Sequence, residues 1–219
     1  MGIFLFSLPL AVVFLASLVA LVILYRAARS APWQALNATG AFSAWCAFII
    51  ALPLLWRFDV PGTGGVTLHL LGMPLFVLMF GPQLAVIGIG IAVAAYTALY
   101  EGLWANLGMN LLLLAVLPAY CGETVMRLTR KYFPHHIFVY LLGNGFFGAM
   151  AMLATIGVLS LGANELWVVH APIAADTIAY MLLLAWGESF LTGFLLTIFT
   201  VYRPEWVLTF DDEVYLRGK

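Results

Sequence analysis

The chain has 219 residues, 64% apolar and 9% charged, with a formal net charge of −1. A soluble domain carries about 25% charged residues to solvate its surface, so most of this surface must be solvated by lipid, and an all-α polytopic membrane protein is expected. The near-neutral balance offers nothing to nucleic acid, and no HExxH, Ser/His/Asp set, P-loop or cofactor fingerprint marks an enzyme.

A span needs about 20 residues to cross roughly 30 Å of hydrocarbon. Apolar runs and their breakers predict seven, at about 3–25, 36–56, 66–80, 83–100, 107–126, 137–161 and 173–202. The first lacks a basic region and is too long for a signal-peptide core, so it reads as a mature helix. Cys46 and Cys121 fall inside apolar runs and read as small buried hydrophobes rather than a disulfide framework. A polar stretch, Arg57 to Gly65, precedes the short third span, which holds His69 and Pro74 and ends at Gly81-Pro82.

Basic residues orient the spans. Arg26, Arg29, Arg127, Arg130, Lys131, Arg203, Arg217 and Lys219 all fall on one side of a seven-span layout, and only Arg57 falls on the other. The positive-inside rule therefore places the N-terminus outside and the C-terminus in the cytoplasm. Residues 1–202 form the membrane domain. Residues 203–219, which mix Trp206, Phe210 and Tyr215 with charges, form a cytoplasmic interfacial tail or a docking tail for a cytosolic partner.

Polar groups inside a membrane need a reason. His135 and His136 lie in the basic loop, and Glu101, Glu165 and His170 lie near the outer boundary. Glu123 stands one turn from Arg127, where an ion pair is expected, and Asp176 suits the start of the last helix. Glu188 lies deep in that helix and reads either as a packing hydrogen bond or as a group serving ion passage or subunit coupling. His69 is either a packing residue or a metal ligand, since imidazole suits nickel, cobalt, copper and zinc. The chain's amine and the next amide lie on the same outer face and offer further nitrogens. Met73, Met79, Met109 and Met126 read as packing filler.

The ordered set Gly62-Thr63-Gly64-Gly65, His69, Leu78-Met79-Phe80-Gly81-Pro82 and Leu107-Gly108-Met109-Asn110 resembles the CbiM/NikM type. These are the substrate-binding membrane components of energy-coupling-factor cobalt and nickel transporters. Gly187-Glu188 resembles the family's Gly-Asp near the C-terminus. The resemblance implies a seven-helix domain holding its metal near the outer face through nitrogen ligands. Met1 would supply the amine and His69 the distal imidazole, with Asn110 supporting from behind. The family opens Met-His-Ile-Pro, whereas this chain opens Met1-Gly2-Ile3-Phe4, so the imidazole of the second position is absent.

The implied function is binding of a transition-metal cation (Ni²⁺, Co²⁺ or Cu²⁺) for uptake. The cation is substrate, and no prosthetic group is expected. The partners would be the lipid bilayer, a membrane coupling protein and cytosolic ATPases, in a bacterial inner membrane. The missing second-position histidine and the aromatic, charged tail also fit a different class, a non-transporting structural or assembly subunit of a larger membrane complex.

Overall fold

Pro9 decides where the first helix starts. A residue ahead of proline is disfavoured in the α region, and in this computed structural model α1 runs Leu10–Ser30 with Pro9 as its cap. The structure describes residues 2–61, 67–100, 102–167 and 175–215. The expected helix over 3–25 is therefore shifted: residues 3–9 stay non-helical, and the helix runs on until Ala31 turns extended ahead of Pro32.

A single 3₁₀ turn, Trp33–Asn37, stands where the second helix was expected to begin, and α2 runs Ala41–Trp56. Two short strands follow, β1 at Asp59–Pro61 and β2 at Thr67–His69, paired antiparallel with Asp59 opposite His69. His69 thus lies on a strand and not in a helix over 66–80, as the sequence had predicted. The helix starts later because Gly72 turns left-handed (φ 67°) and Pro74 fits the first turn.

α3, Met73–Leu99, is broken at Gly81 (φ 78°, ψ 169°) ahead of Pro82. A Cβ placed on Gly88 would lie 2.5 Å from the Phe76 ring. In a straight helix that separation along the chain would hold the two backbones about 18 Å apart. The arms 73–80 and 82–99 therefore fold back into a hairpin. Buried side chains line both arms, from Met73, Phe76 and Phe80 to Leu84, Ile89 and Val93, and α3 forms the centre of the molecule.

α4 is the helical stretch Trp104–Tyr132, α5 is Val139–Trp167 and α6 is Ala175–Tyr202. The first two extend beyond the expected 107–126 and 137–161. Each contains a π-helical stretch, Leu112–Val116 and Val139–Gly148. With the arms of α3 counted separately, and short helical turns at Trp33–Asn37, Pro204–Trp206 and Asp212–Tyr215 left aside, the described residues form seven helical segments. Five of the described helices are long and apolar enough to cross a membrane. α1 and α6 expose large apolar side chains outward, Leu10, Phe14 and Leu21 on one and Leu183, Trp186 and Phe190 on the other, as lipid-facing helices do.

Candidate metal-binding site

The extended N-terminal segment has no helix to satisfy its backbone, and α4 supplies the partners. Asn110 brackets Ile3, its Oδ1 accepting from the Ile3 N–H at 2.7 Å and its Nδ2 donating to the Ile3 carbonyl at 3.0 Å. Asn106, one turn earlier, donates to the carbonyls of Ile3 (2.9 Å) and Phe6 (2.6 Å), and the Leu103 N–H donates to the Phe4 carbonyl at 2.8 Å. Ile3 is buried as a result. Both asparagines are buried on one face of α4, because a four-residue spacing returns side chains to the same side.

His69 lies at the same end of the bundle. A chain of ring contacts joins it to the N-terminal segment: Phe4 to Tyr96 (4.8 Å between centroids), Tyr96 to Trp56 (5.8 Å) and Trp56 to His69 (6.1 Å). The imidazole is buried, and its Nδ1 lies 3.2 Å from the Leu70 carbonyl. A carbonyl only accepts, so this bond requires the proton on Nδ1 and leaves Nε2 as the basic nitrogen, the arrangement in which histidine ligates metals. Burial holds the imidazole well below its usual 6.5, which keeps it in the neutral, ligating form at physiological pH.

The backbone just after His69 is gripped from two sides. The Trp56 indole N–H donates to the Leu71 carbonyl at 2.8 Å. Glu188, buried on α6, accepts from the Leu71 N–H (2.8 Å, Oε2) and the Gly72 N–H (2.6 Å, Oε1). A carboxylate before the first turn of α3 also suits the positive end of that helix. Glu188 thus makes interhelical hydrogen bonds, which both the packing reading and the coupling reading of this residue accommodate.

Among the described residues no three His, Cys, Asp or Glu side chains converge on one point. Met1, the glycine loop 62–65, Glu101 and His170 lie outside the described residues. At Gly2, a Cβ would lie 2.5 Å from the Phe4 ring, so the space a second-position side chain needs is taken by Phe4.

The remaining polar groups are placed simply. Glu123 and Arg127 form the expected pair at 2.6 Å, Cys46 and Cys121 are free thiols, and Asp176 sits in the first turn of α6. Sequence reasoning missed Asn106, Phe4, Trp56 and Tyr96. Only Asn106 left a readable signal, its one-turn spacing from Asn110.

Among the described residues, five apolar helices long enough to cross a membrane define an integral membrane protein. Residues 6–206 match the family described as CbiM, cobalt uptake substrate-specific transmembrane region, and the chain belongs to that family. Two solved structures share the fold. One, described as a truncated transition metal transporter, has a TM-score of 0.64 at 21% identity and covers 92% of this chain and 98% of its own. The other, described as a transition metal transporter, has a TM-score of 0.63 at 20% identity and covers 92% and 93%. No curated protein matches the chain significantly. The chain is a membrane component of metal uptake.

Proposed function

We propose that the chain takes a transition-metal cation, Ni²⁺, Co²⁺ or Cu²⁺, at the end of the bundle that carries His69. The observation that carries this reading is the ring bridge from Phe4 through Tyr96 and Trp56 to His69, which ties the chain start and the buried imidazole to one end. Met1 gives the α-amine, Gly2 an amide nitrogen and His69 the imidazole. Asn110 and Asn106 hold the segment that presents the first two. With Gly2 lacking a side chain, the fourth position falls to water, a carbonyl or a sulfur. Glu188 anchors the strand-to-helix turn behind His69.

In this reading the site faces outward, the N-terminus is outside, and 203–219 form a cytoplasmic tail to the membrane domain 1–202. The location is a bacterial inner membrane. A separate membrane coupling protein and cytosolic ATPases provide the energy. Metal analysis and calorimetry on the purified protein test the site. One equivalent of metal is expected, lost in His69→Ala and on N-terminal acetylation. Stoichiometric binding that survives both changes overturns the assignment. Co-purification from mild detergent tests the partners: ATPase subunits support the reading, and a membrane enzyme in their place supports an assembly subunit instead.

A further inference from the structure

The break in α3 leaves two backbone carbonyls without helical partners. In an unbroken helix the Leu78 carbonyl would accept from residue 82, but Pro82 has no N–H. The Met79 carbonyl would accept from Gln83, but the turn at Gly81 carries that amide away. The C-terminal segment supplies both. The Leu208 N–H donates to the Met79 carbonyl at 2.6 Å, and the Thr209 hydroxyl donates to the Leu78 carbonyl. These residues lie beyond 206, the last residue matched by the family.

The hydroxyl of Thr209 has one proton, and Leu78 receives it. The contact with Tyr140 at 2.7 Å is therefore a donation from the Tyr140 hydroxyl to Thr209. Arg130, near the end of α4, donates from Nη2 to the Thr209 carbonyl at 2.8 Å and from Nε to the Tyr215 hydroxyl at 3.2 Å. Phe210 and Tyr215 stack on each other and pack against Tyr140, and the Trp206 indole donates to the Thr39 carbonyl at 3.1 Å. A cavity of about 290 Å³ remains between the hairpin tip and this segment, lined by Pro32, Gln83, Glu123, Met126 and Thr209 among others. Val207 and Tyr215 are buried, so apolar packing holds the flanks of the segment, while its contact with the hairpin tip runs through the Leu208 and Thr209 bonds.

We propose that residues 204–215 form a latch on the tip of the α3 hairpin, and that Thr209 is a positioning residue for the metal site at the hairpin's other end. The arm 73–80 is a single short helix. One end follows the Leu71–Gly72 turn gripped by Glu188, directly after His69, and the other is fastened by Thr209 and Leu208. Releasing the latch frees this arm to tilt, loosens the His69 end and opens the cavity at the tip. The second part of the test below rests on the function proposed above, and the first part does not.

A single reporter cysteine at Gln83, in a background carrying Cys46→Ala and Cys121→Ala, is labelled with a maleimide in solubilised full-length protein. Thr209→Val is expected to raise the labelling rate about five-fold or more, as loss of a buried hydrogen bond would, while Thr209→Ser keeps the wild-type rate. Ni²⁺ dissociation is expected to quicken by a similar factor in Thr209→Val alone. Equal labelling in Thr209→Val and wild type, with unchanged elution and melting, overturns the latch. Faster labelling with unchanged Ni²⁺ dissociation overturns the link to His69. Faster labelling in protein that never binds Ni²⁺ supports the latch and counts against the proposed function. Should Thr209→Val fail to fold, Arg130→Met removes the Thr209 carbonyl and Tyr215 contacts and carries the same expectations.

Discussion

Glu188 commits both carboxylate oxygens to the amides of Leu71 and Gly72, so its removal leaves two donors unpaired in a buried place. The turn that aims His69 would then relax. Groups that orient a metal ligand typically contribute 10–100-fold in affinity, so Glu188→Ala is expected to weaken Ni²⁺ binding by about ten-fold or more. Calorimetry on the folded variant measures this, and an unchanged Kd would show that the carboxylate has no hold on the site. His69 was legible because a histidine after a glycine-rich stretch stands out in so apolar a sequence. The partners of Glu188 were not, because they are backbone amides more than a hundred residues away, and a backbone amide carries no mark in a sequence. Asn106 lies between these cases: its spacing from Asn110 was visible, but the extended segment it serves was not.

At the scale of elements, breakers were read well and element ends less so. Gly81-Pro82 announced the fold-back of α3. Pro9 delayed α1 because the first residues find better partners in α4 than in a helix of their own. The π-helical stretches in α4 and α5 had no counterpart in the pattern, since one inserted residue shifts the apolar face without breaking it. Gly108, part of the Leu-Gly-Met-Asn run, shows what a glycine does here. A Cβ at this position would lie 2.4 Å from the Ser17 Cα and 2.6 Å from its nitrogen, so α1 and α4 touch backbone to backbone. Gly108→Ala must push the helices apart, and a loss of about 1–3 kcal/mol is expected from such overpacking. Thermal melting of the solubilised variant gives the measurement, and a midpoint equal to wild type would mean that the contact is looser than drawn.

For the whole molecule, apolar runs anticipated the seven main helices found among the described residues, because lipid leaves a chain few alternatives. Burial of His69 gives the molecule a response to acid. Well above pH 6.5 the imidazole is neutral both folded and unfolded. As the pH falls below that value, the unfolded chain takes up a proton that the folded one refuses, so stability drops until the folded imidazole also protonates. Metal-free protein is therefore expected to melt at progressively lower temperature on acidification below 6.5, and His69→Ala to flatten this dependence. Parallel pH profiles for the two proteins would exclude His69 as the source.

The fastening at the tip of α3 bears on how the protein is made. The carbonyls of Leu78 and Met79 leave the ribosome long before Leu208 and Thr209 exist, and the bond between Thr209 and Leu78 spans 131 residues. The N-terminal segment likewise waits for Asn110, 107 residues on from Ile3. Insertion can proceed helix by helix and the two arms can meet at Phe76 and Gly88, but the two carbonyls at the hairpin tip gain their partners only after residues 208 and 209 are made.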